Sequence, residues 1–447
     1  MSYSTIRNPA TGEPVGELEV TSDTKVDETL AAAQLAQRDW SRTPRHARYA
    51  VMLRFADRLE ENASSVAALL AAESGKPVEQ TVGEVALCAR LFRGFAERLM
   101  ASTDEARFLD SQQGAEHDLV ITRQEPLGVV AAIIPFNFPV ELFGHKVAPA
   151  LATGNTVVVK PPVEDPLAVM RLAELLTQAG LPDGVVQTVY GGGDVGSQLV
   201  QSPLVAAVSL TGSTETGVTV AREGAKTLKR VYLELGSNDA MIVLEDANLD
   251  QAVEAAVFGR SLANGQCCCA TKRLVVQSPV AEEFTDCLVD RFGDLSLGDP
   301  ADHQTDVGPL ISTVAASRVA SQVEASVSDG AVVLVGGTAG EGCFYPPTVL
   351  SEVAPQSAIA TDLEVFGPIP PIIRVTDDAE AVRVSNNSRY GLSGSVFTAD
   401  FLVRSESQLS WRPVRLCSTG RASTGPSALG SGASSSAATP ERASTPA

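Results

Sequence analysis

Lysine is scarce in this sequence: seven lysines accompany 27 arginines, and these 34 basic residues face 54 aspartates and glutamates. The net charge of −20 argues against nucleic acid or an anionic membrane as a partner, because both are negatively charged. A lysine-poor acidic surface is typical of proteins adapted to high salt, where self-repulsion is screened. An acidic protein from a GC-rich genome would look the same, and composition leaves both interpretations open.

Long apolar runs are also missing. No window of 18 apolar residues exists, and the N-terminus lacks the charged-then-apolar pattern of a signal sequence. The seven cysteines are odd in number and three of them are adjacent, which does not match a disulfide framework. Three adjacent side chains cannot converge on one zinc ion, and no histidine lies near them, so we expect no metal site. These absences predict a cytoplasmic protein with reduced thiols that does not interact with membranes.

The order of apolar segments predicts the fold class α/β. The length of 447 residues allows two or three domains. Short apolar strands alternate with helical patterns from residue 125 onward, which predicts a parallel, doubly wound sheet with ligands at the carboxyl ends of its strands. A second α/β unit is expected from residue 240. Apolar spacing predicts earlier helices, whose charged side chains we expect to be solvated, at 25–41, 45–74 and 78–100.

The three cysteines, Cys267, Cys268 and Cys269, lie between a helical pattern at 249–262 and a strand-like run at 273–276. A turn between two rigid elements is a common position for a nucleophile. A thiol becomes a nucleophile as the thiolate, so a reactive cysteine needs surroundings that lower its pKa. Taken alone, this stretch fits inert packing of the cysteines as well as it fits catalysis.

Three other segments carry groups that covalent carbonyl chemistry requires. Leu-Glu-Leu-Gly leaves Glu234 where a strand gives way to a turn, 268 − 234 = 34 residues before Cys268. Pro-Phe-Asn-Phe-Pro follows an apolar strand and offers the side-chain amide of Asn137, and Glu-Val-Phe-Gly-Pro supplies Glu364 beside Phe366. A thiol, an amide donor and a carboxylate are groups that form, stabilise and hydrolyse an acyl intermediate.

These motifs, in this order and spacing, resemble the NAD(P)-dependent aldehyde dehydrogenase superfamily over about residues 5–402. Within it, the sequence is similar to the succinate-semialdehyde and lactaldehyde dehydrogenase group. The resemblance implies an aldehyde dehydrogenase fold with a Rossmann-like sheet and assembly into a homodimer or homotetramer. It implies an NAD(P)-binding domain, an oligomerisation flap strand and a catalytic domain at residues 1–113 with 125–235, 114–124 and 236–402, respectively.

The resemblance also implies catalytic roles. Cys268 is expected to attack the aldehyde and form a hemithioacetal, and its flanking cysteines to pack or tune access. Asn137, with the backbone N–H of Cys268, is expected to stabilise the oxyanion. Glu234 is expected to act as the general base that hydrolyses the acyl-thioester. Lys146 resembles a family element that supports the site.

Two glycine patterns compete for the dinucleotide. Residues 191–196 fit G-x-G-x-x-G, but no acidic residue ends a second strand about 20 positions on, and Asp194 would repel a pyrophosphate. Residues 211–213 lie between a strand and a helix, where backbone amides and Ser213 can meet phosphate oxygens, and we favour them. The residues that the resemblance assigns to NAD or NADP are Ile134, Pro135, Phe136, Lys160, Thr211, Gly212, Ser213, Gly236, Glu364 and Phe366.

Two departures from the family pattern affect these expectations. Val163 occupies the position where NAD-preferring members often carry a glutamate, three residues after Lys160, so repulsion of a 2′-phosphate is lost and NADP stays open as the cofactor. Residues 236–239 read Gly-Ser-Asn-Asp where Gly-Gly-Lys-Asn is commoner. We expect this second departure to be a subgroup variation without loss of chemistry.

The composition changes near the C-terminus. Residues 403–447 are rich in Ser, Pro, Gly and Arg without apolar periodicity, which predicts a low-complexity, disordered tail. The change resembles out-of-frame translation, and the family instead continues with a glycine-rich loop and a final strand. Sequencing the surrounding gene region for a continuation in another frame tests this hypothesis.

The motifs together predict NAD(P)-dependent oxidation of a small-molecule aldehyde to a carboxylic acid. Two alternatives stay open. One is a catalytically impaired product of a damaged gene, which the tail favours. The other is a non-redox thioester hydrolase that uses Cys268 and Glu234. The substrate is not identified, and a carboxylate-bearing aldehyde would need an arginine in its tunnel.

Overall fold

Strands and helices alternate along most of the computed structural model, which describes residues 2–400 and the backbone of residues 416–418. The strands are β1 Tyr3–Arg7, β2 Pro14–Glu19, β3 Glu105–Phe108, β4 Leu119–Thr122, β5 Val129–Ile133, β6 Thr156–Lys160, β7 Val186–Thr188, β8 Val205–Thr211, β9 Arg230–Glu234, β10 Ala240–Val243, β11 Arg273–Gln277, β12 Val332–Val335, β13 Val349–Ser351, β14 Ile372–Val375, β15 Gly394–Phe397 and β16 Leu416–Ser418.

The helices pack around these strands, and none of those described combines the length and apolar character needed to cross a membrane. They are α1 Asp23–Trp40, α2 Arg45–Glu61, α3 Ala63–Ser74, α4 Val78–Ala101, α5 Pro139–Ala152, α6 Leu167–Gln178, α7 Gly193–Gln201, α8 Thr214–Ala225, α9 Leu249–Ser261, α10 Ser278–Gly293, α11 Thr313–Ser328 and α12 Asp378–Ser385. A 3₁₀ turn at Leu262–Gly265 follows α9.

The first sheet is parallel, with the strand order β7-β6-β5-β8-β9. Strand β6, next to the central strand β5, is Thr-Val-Val-Val-Lys and is buried along its whole length, as a strand covered by helices on both faces must be. Successive strands are added on one side of β5, as β6 and then β7, and afterwards on its other side, as β8 and then β9. The order of strands therefore reverses between β5 and β8. Ligands of open α/β sheets bind in the crevice at such a reversal, beyond the carboxyl ends of the strands. The predicted doubly wound sheet is confirmed.

The second sheet is also parallel, with the order β14-β11-β10-β15-β16. The segments that carry Ser237 and Lys272 immediately precede β10 and β11, so they lie at the amino ends of these strands. Strand β16 falls inside the segment predicted to be a disordered tail. Its backbone pairs with β15, whose outer edge would otherwise lack a neighbour.

An aromatic cluster fixes the position of helix α5, which follows the loop after the central strand β5. The rings of Phe55 on α2 and Phe92 on α4 have centroids 4.3 Å apart, and Phe143 on α5 lies 6.3 Å from Phe92. All three rings are fully buried. Burying a large aromatic side chain stabilises a fold by roughly 1.5–3 kcal/mol, so α5 is fixed at its N-terminus beside Asn137.

The helical pattern predicted over 45–74 is two helices in the structure. The chain breaks at Asn62, which has φ −102° and ψ 8°, and its side-chain amide donates to the carbonyl of Arg58 at 2.8 Å. An asparagine that bonds the local backbone competes with the helical ladder, which explains the break. The expected solvation of the charged side chains of these helices is wrong for Glu73 and Glu84, which are buried, as is Lys76 between the second and third predicted helices.

An exposed hairpin projects between α4 and β5. Strand β4, within the segment predicted as an oligomerisation flap, pairs antiparallel with β3, which the sequence pattern did not predict. Every residue of both strands is exposed, including Phe108 at 68% and Ile121 at 61% of the full side-chain area. A two-stranded hairpin with no covered face is marginally stable by itself.

Candidate active site

The loop after β5 continues along the carboxyl edge of the first sheet. The Ile134 N–H donates to the carbonyl of Lys160 at 3.0 Å, which keeps the chain in line with β6. Ile134 and Asn137 are buried, whereas Pro135 and Phe136 are partly exposed. The predicted amide donor and the first three predicted cofactor residues therefore lie together at this edge.

A buried ion pair supports the backbone of Asn137. The Lys76 ammonium donates to the carbonyl of Asn137 at 3.0 Å and forms a salt bridge with Glu84. The other oxygen of Glu84 accepts from the N–H groups of Val140 at 2.8 Å and Glu141 at 3.1 Å, in the first turn of α5. A carboxylate is favourable at a helix N-terminus, and here it fixes the turn that follows the amide. Sequence reasoning missed this pair because Lys76 lies in the loop between α3 and α4 and Glu84 lies on α4, and neither belongs to a site motif.

Glu234 ends β9, and its backbone carbonyl accepts from the N–H of Gly212 at 3.0 Å. Burial and the nearby thiol of Cys268 raise the pKa of Glu234, whereas Lys146 and His145 oppose the rise. Burial lowers the pKa of Lys146 to about 8, and its ammonium donates to Ser209 at 3.2 Å and Thr211 at 2.8 Å. Cys268 is thus close enough to Glu234 to influence the protonation of this carboxylate.

The turn before the cysteines has an unusual backbone. Ala263, Asn264 and Gly265 have φ values of 50°, 57° and 75°, in the left-handed region that a β-carbon disfavours. The Asn264 side chain offsets this strain by donating to the carbonyls of Gly75 at 2.9 Å and Pro309 at 2.8 Å. A β-carbon on Gly265 would lie 2.1 Å from the backbone of Gly367. The cysteine turn is therefore pressed against the loop that carries Glu364.

Three thiols meet in this turn. Cys267 is buried, Cys268 is partly exposed and Cys269 is exposed, and the sulfurs of Cys267 and Cys269 lie 3.5 Å apart. The hydrogen bond from Cys267 lowers the pKa of the Cys268 thiol, but the bond with Cys269 and burial outweigh it and raise the pKa to about 11. The resting thiol is protonated at neutral pH, so attack by Cys268 requires a proton acceptor.

The predicted ribose-binding pair lies next to this turn. The ring centroids of Phe366 and Phe136 are 6.0 Å apart in an edge-to-face arrangement, which joins the two predicted cofactor loops. Glu364 accepts from the N–H of Ser237 at 3.0 Å. A β-carbon on Gly236 would lie 2.3 Å from the second oxygen of Glu364, so only glycine leaves that carboxylate in place.

Both glycine patterns lie at the carboxyl edge of the first sheet. Thr211 ends β8, beside the reversal of strand order, and Ser213 caps α8 by accepting from the N–H of Thr216 at 3.2 Å. The competing pattern follows β7 at the sheet's outer edge, with Asp194 in the first turn of α7. The amides at the N-terminus of α8 and the carboxylate of Glu364 fit the phosphates and a ribose of a dinucleotide.

Lys160 lies beside the pattern at residues 191–196, because a β-carbon on Gly196 would lie 3.6 Å from its side chain. The ammonium of Lys160 donates to the carbonyl of Pro161 at 3.2 Å. Val163 is exposed, and its carbonyl accepts from the hydroxyl of Tyr190 at 3.0 Å. No set of three metal-ligating side chains converges within residues 2–400.

Sequence reasoning also missed Lys272, which is buried among the catalytic segments. Its ammonium lies 2.9 Å from Glu364 and 3.1 Å from the hydroxyl of Ser237, and it donates to the carbonyl of Cys268. The signal was the departure at residues 236–239, where Ser237 replaces a glycine. That departure did not indicate that Lys272 is the partner of Ser237, because a contact between residues 35 positions apart leaves no local sequence pattern.

A Rossmann-like sheet whose reversal point lies beside a partly exposed thiol and a carboxylate defines a class, the nucleotide-dependent dehydrogenases. The comparisons with known proteins agree. The aldehyde dehydrogenase family model matches residues 2–406. The chain belongs to the aldehyde dehydrogenase family. It is an NAD(P)-dependent oxidoreductase that oxidises an aldehyde to a carboxylic acid, and the comparisons give no support to the hydrolase or impaired-product alternatives.

The chain matches relatives that are named for different substrates, and each match covers most of the relative's length. The chain is 38% identical to a glutarate-semialdehyde dehydrogenase of Pseudomonas putida, covering 88% of this chain and 82% of the relative. It is 39% identical to a 3,6-anhydro-alpha-L-galactose dehydrogenase of Streptomyces coelicolor, covering 88% and 80%. It is 36% identical to an NADP-dependent succinate-semialdehyde dehydrogenase of Mycobacterium ulcerans, covering 88% and 86%.

A solved structure supports the fold. The lactaldehyde dehydrogenase of Escherichia coli superposes with a TM-score of 0.90 at 32% identity, covering 94% of this chain and 87% of that one. The predicted resemblance to succinate-semialdehyde and lactaldehyde dehydrogenases is confirmed.

Proposed function

We propose that Cys268 is the nucleophile of this aldehyde oxidation. The observation that carries the proposal is the electrostatic effect of the Cys268 thiol on the Glu234 carboxylate, which raises the pKa of that carboxylate together with burial. The thiol is protonated at neutral pH, and Glu234 is the carboxylate next to it that can accept the proton. Attack on the aldehyde carbon then forms a hemithioacetal and an oxyanion.

Asn137 donates its amide to that oxyanion together with the backbone N–H of Cys268. The amide is oriented before negative charge develops on the substrate oxygen, because Lys76, Glu84 and the first turn of α5 hold the backbone of Asn137 in place. A bound nicotinamide would supply the acceptor for the hydride of the hemithioacetal carbon, and Cys268 would then carry an acyl-thioester. Glu234 then activates water to hydrolyse this thioester and release the acid.

Two loops and one helix hold the dinucleotide in this proposal. Thr211, Gly212 and Ser213 present the N-terminus of α8 to the phosphates, and Lys160 lies at the carboxyl edge for the adenosine ribose. Glu364 accepts from the nicotinamide ribose while Phe366 packs against Phe136. Ile134, Pro135, Phe136 and Gly236 line the same crevice. The uncharged Val163 leaves room for a 2′-phosphate, so we propose that NADP is accepted as well as NAD.

We propose a short aliphatic aldehyde with a polar or acidic far end as the substrate class. The support is that relatives matched over most of their length are named for glutarate and succinate semialdehydes. A relative of similar identity is named for a neutral sugar aldehyde, so the panel of test substrates must include both kinds.

We further propose self-association through the β3–β4 hairpin into a homodimer or homotetramer. Its support is the exposure of Phe108, Leu119, Val120 and Ile121 on one two-stranded element. We also propose a reducing compartment, the cytoplasm, because an odd number of cysteines with three of them consecutive does not match a disulfide framework.

The test is the appearance of reduced nicotinamide when the purified protein meets succinate semialdehyde, glutarate semialdehyde, lactaldehyde and an uncharged sugar aldehyde. NAD and NADP are compared at low and molar salt. Turnover that is lost in Cys268→Ser but kept in Cys287→Ser, a partly exposed cysteine on α10, supports the proposal. Turnover that persists in Cys268→Ser contradicts it.

A further inference from the structure

Lys272 is a cation with no exposed side-chain surface at the point where three catalytic segments meet. Its ammonium contacts Glu364 on the predicted ribose loop, Ser237 on the turn after β9, and the carbonyl of Cys268. It also lies 5.6 Å from the centroid of the Phe366 ring. One side chain therefore touches the cofactor loop and the nucleophile's own backbone.

The network fixes one oxygen of Glu364 and leaves the other available. Oε1 accepts from the ammonium of Lys272 at 2.9 Å and from the N–H of Ser237 at 3.0 Å. Oε2 faces Gly236, where a β-carbon would collide with it. A carboxylate with one oxygen held by two donors has a defined orientation, and the second oxygen can accept from a ligand hydroxyl.

The same network fixes the peptide that follows the nucleophile. The carbonyl of Cys268 accepts from both the Lys272 ammonium and the Ser237 hydroxyl. Two donors on one carbonyl restrict rotation of this peptide unit, and so the direction of the side chain before it. The positive charge also lowers the pKa of the Cys268 thiol, against the rise caused by its neighbours and burial.

Packing alone does not account for a charged group here. Taking an ammonium out of water costs several kcal/mol, and an apolar side chain of similar volume commonly fills such a position at least as stably. The departure at residues 236–239 also takes part in the contact, because Ser237 stands where the family pattern has glycine and its hydroxyl accepts from Lys272 at 3.1 Å.

We propose that Lys272 is a positioning residue that couples the nicotinamide-ribose contact of Glu364 to the orientation and reactivity of Cys268. This inference rests on the proposed roles of those two residues. Charged groups facing the lysine are Glu364 and Asp239. The groups facing the thiol are Cys267, Cys269, Glu234 and Lys272 itself.

The first test compares Lys272→Met with Lys226→Met in the full chain. Lys226 is a matched control, because it forms an exposed salt bridge with Glu223 at 2.8 Å on α8. We expect KM for the dinucleotide to rise about tenfold in Lys272→Met, as loss of one charge-assisted hydrogen bond predicts, and to be restored in part by Lys272→Arg. Equal KM values in Lys272→Met and Lys226→Met would overturn the inference.

The second test measures alkylation of Cys268 by iodoacetamide across pH, without substrate or dinucleotide, with peptide mass spectrometry to assign the site. The rate should reach half its maximum at a higher pH in Lys272→Met than in the parent, and Lys272→Arg should retain the parent profile. A purely structural role would not move this midpoint. An unchanged midpoint therefore contradicts the link to Cys268.

A double-mutant cycle tests whether the lysine acts through Glu364. In the Glu364→Gln background, Lys272→Met should raise KM for the dinucleotide less than it does in the parent, because its partner is already gone. If KM in the double variant rises by the product of the two single-variant effects, the two residues act independently and the coupling is overturned. If Lys272→Met fails to fold, Ser237→Ala carries the test, since it removes one donor to Cys268 and should shift the alkylation midpoint in the same direction. No shift in a folded Ser237→Ala contradicts the proposal.

These outcomes are separable from a failure of the proposed function itself. Retained turnover in Cys268→Ser would remove the nucleophile on which the inference rests. If turnover is lost in Cys268→Ser as expected, but KM and the alkylation midpoint of Lys272→Met equal those of the parent, only the role of Lys272 is rejected.

Discussion

At the scale of single residues, the chemistry depends on groups whose protonation the fold has altered. Burial and neighbours leave the Cys268 thiol protonated at rest, while burial raises the pKa of Glu234 and improves it as a base near neutral pH. The rise at Glu234 favours transfer of the thiol proton to this carboxylate, whereas the rise at Cys268 opposes it, so the positive charge of Lys272, which lowers the pKa of the thiol, assists the step. Lys146 limits the rise at Glu234, so that the carboxylate stays ionised over a useful range.

Replacing Asn137 with alanine should lower kcat about 10²- to 10³-fold, the loss expected when one oxyanion donor is removed. The fold should be retained, because its backbone carbonyl keeps the contact with Lys76. Steady-state kinetics and a thermal melt measure both effects. Asn387→Ala, a change at an exposed asparagine, is the control. A kcat within threefold of the parent would exclude the amide as an oxyanion donor.

The pH dependence tests the pairing of Lys146 with Glu234. The pKa of Glu234 is raised, so kcat should fall as pH decreases through that raised value and the base becomes protonated. Lys146→Met removes a charge that lowers this pKa, so the acidic limb of the kcat profile should move to higher pH. Lys146→Arg keeps a positive charge and should leave the limb near its parent position. A limb that moves to lower pH in Lys146→Met, or not at all, contradicts this assignment.

At the scale of elements, the cysteine turn is shaped by backbone constraints more than by side-chain propensity. Three successive residues have left-handed φ values, and two of them are not glycine. Asn264 compensates through three hydrogen bonds to backbone groups of Gly75, Pro309 and Gly308. The turn is thus held by segments distant in sequence, which fixes where Cys268 faces.

Gly265→Ala should destabilise this turn by about 2–4 kcal/mol, because a left-handed alanine is strained and its β-carbon would overlap the backbone of Gly367. We expect a lower thermal midpoint and slower alkylation of Cys268. Gly83→Ala is the matched control. That residue lies exposed in α4 with open space around it, so alanine there should be neutral or stabilising by about 0.5–1 kcal/mol. Similar midpoints for the two variants would refute the account of the turn.

The sequence predicted the elements whose signal is local. The apolar strands β5, β6 and β8 and the turn between α9 and β11 are confirmed, because burial on both faces and a helix-to-strand change leave direct patterns. Strand β3 was missed, since its four residues are all exposed and carry no alternation. The Lys76–Glu84 and Lys272–Glu364 pairs were missed because their partners lie on separate elements.

At the scale of the whole molecule, two parallel sheets place complementary groups at one junction. The first sheet contributes its carboxyl ends, with Asn137 and Glu234, and the second contributes the segments that precede its strands, with Cys268 and Lys272. The family motifs identified Asn137, Glu234 and Cys268 in the sequence because the resemblance assigns each of them a role. They did not identify Lys272. The joint packing that unites them depends on both sheets together.

Assembly is the prediction that belongs to this scale. If the β3–β4 hairpin mediates self-association, Ile121→Asp should reduce the particle mass toward that of one chain, because a charge would be buried in an apolar contact. Val314→Asp is the control, since that valine is also exposed but lies on a separate element, α11. Light scattering after size-exclusion chromatography gives the mass. An unchanged oligomer in Ile121→Asp would show that the contact lies elsewhere.

The most direct measurement of the central claim is a single turnover of Glu234→Gln. If Cys268 forms the acyl-thioester and Glu234 drives its hydrolysis, this variant should release about one reduced nicotinamide per chain and then stop. Intact-protein mass spectrometry should find the added acyl mass, and peptide mapping should place it on Cys268. Steady turnover without an adduct, or an adduct on Cys267 or Cys269, would contradict the assignment of nucleophile and base.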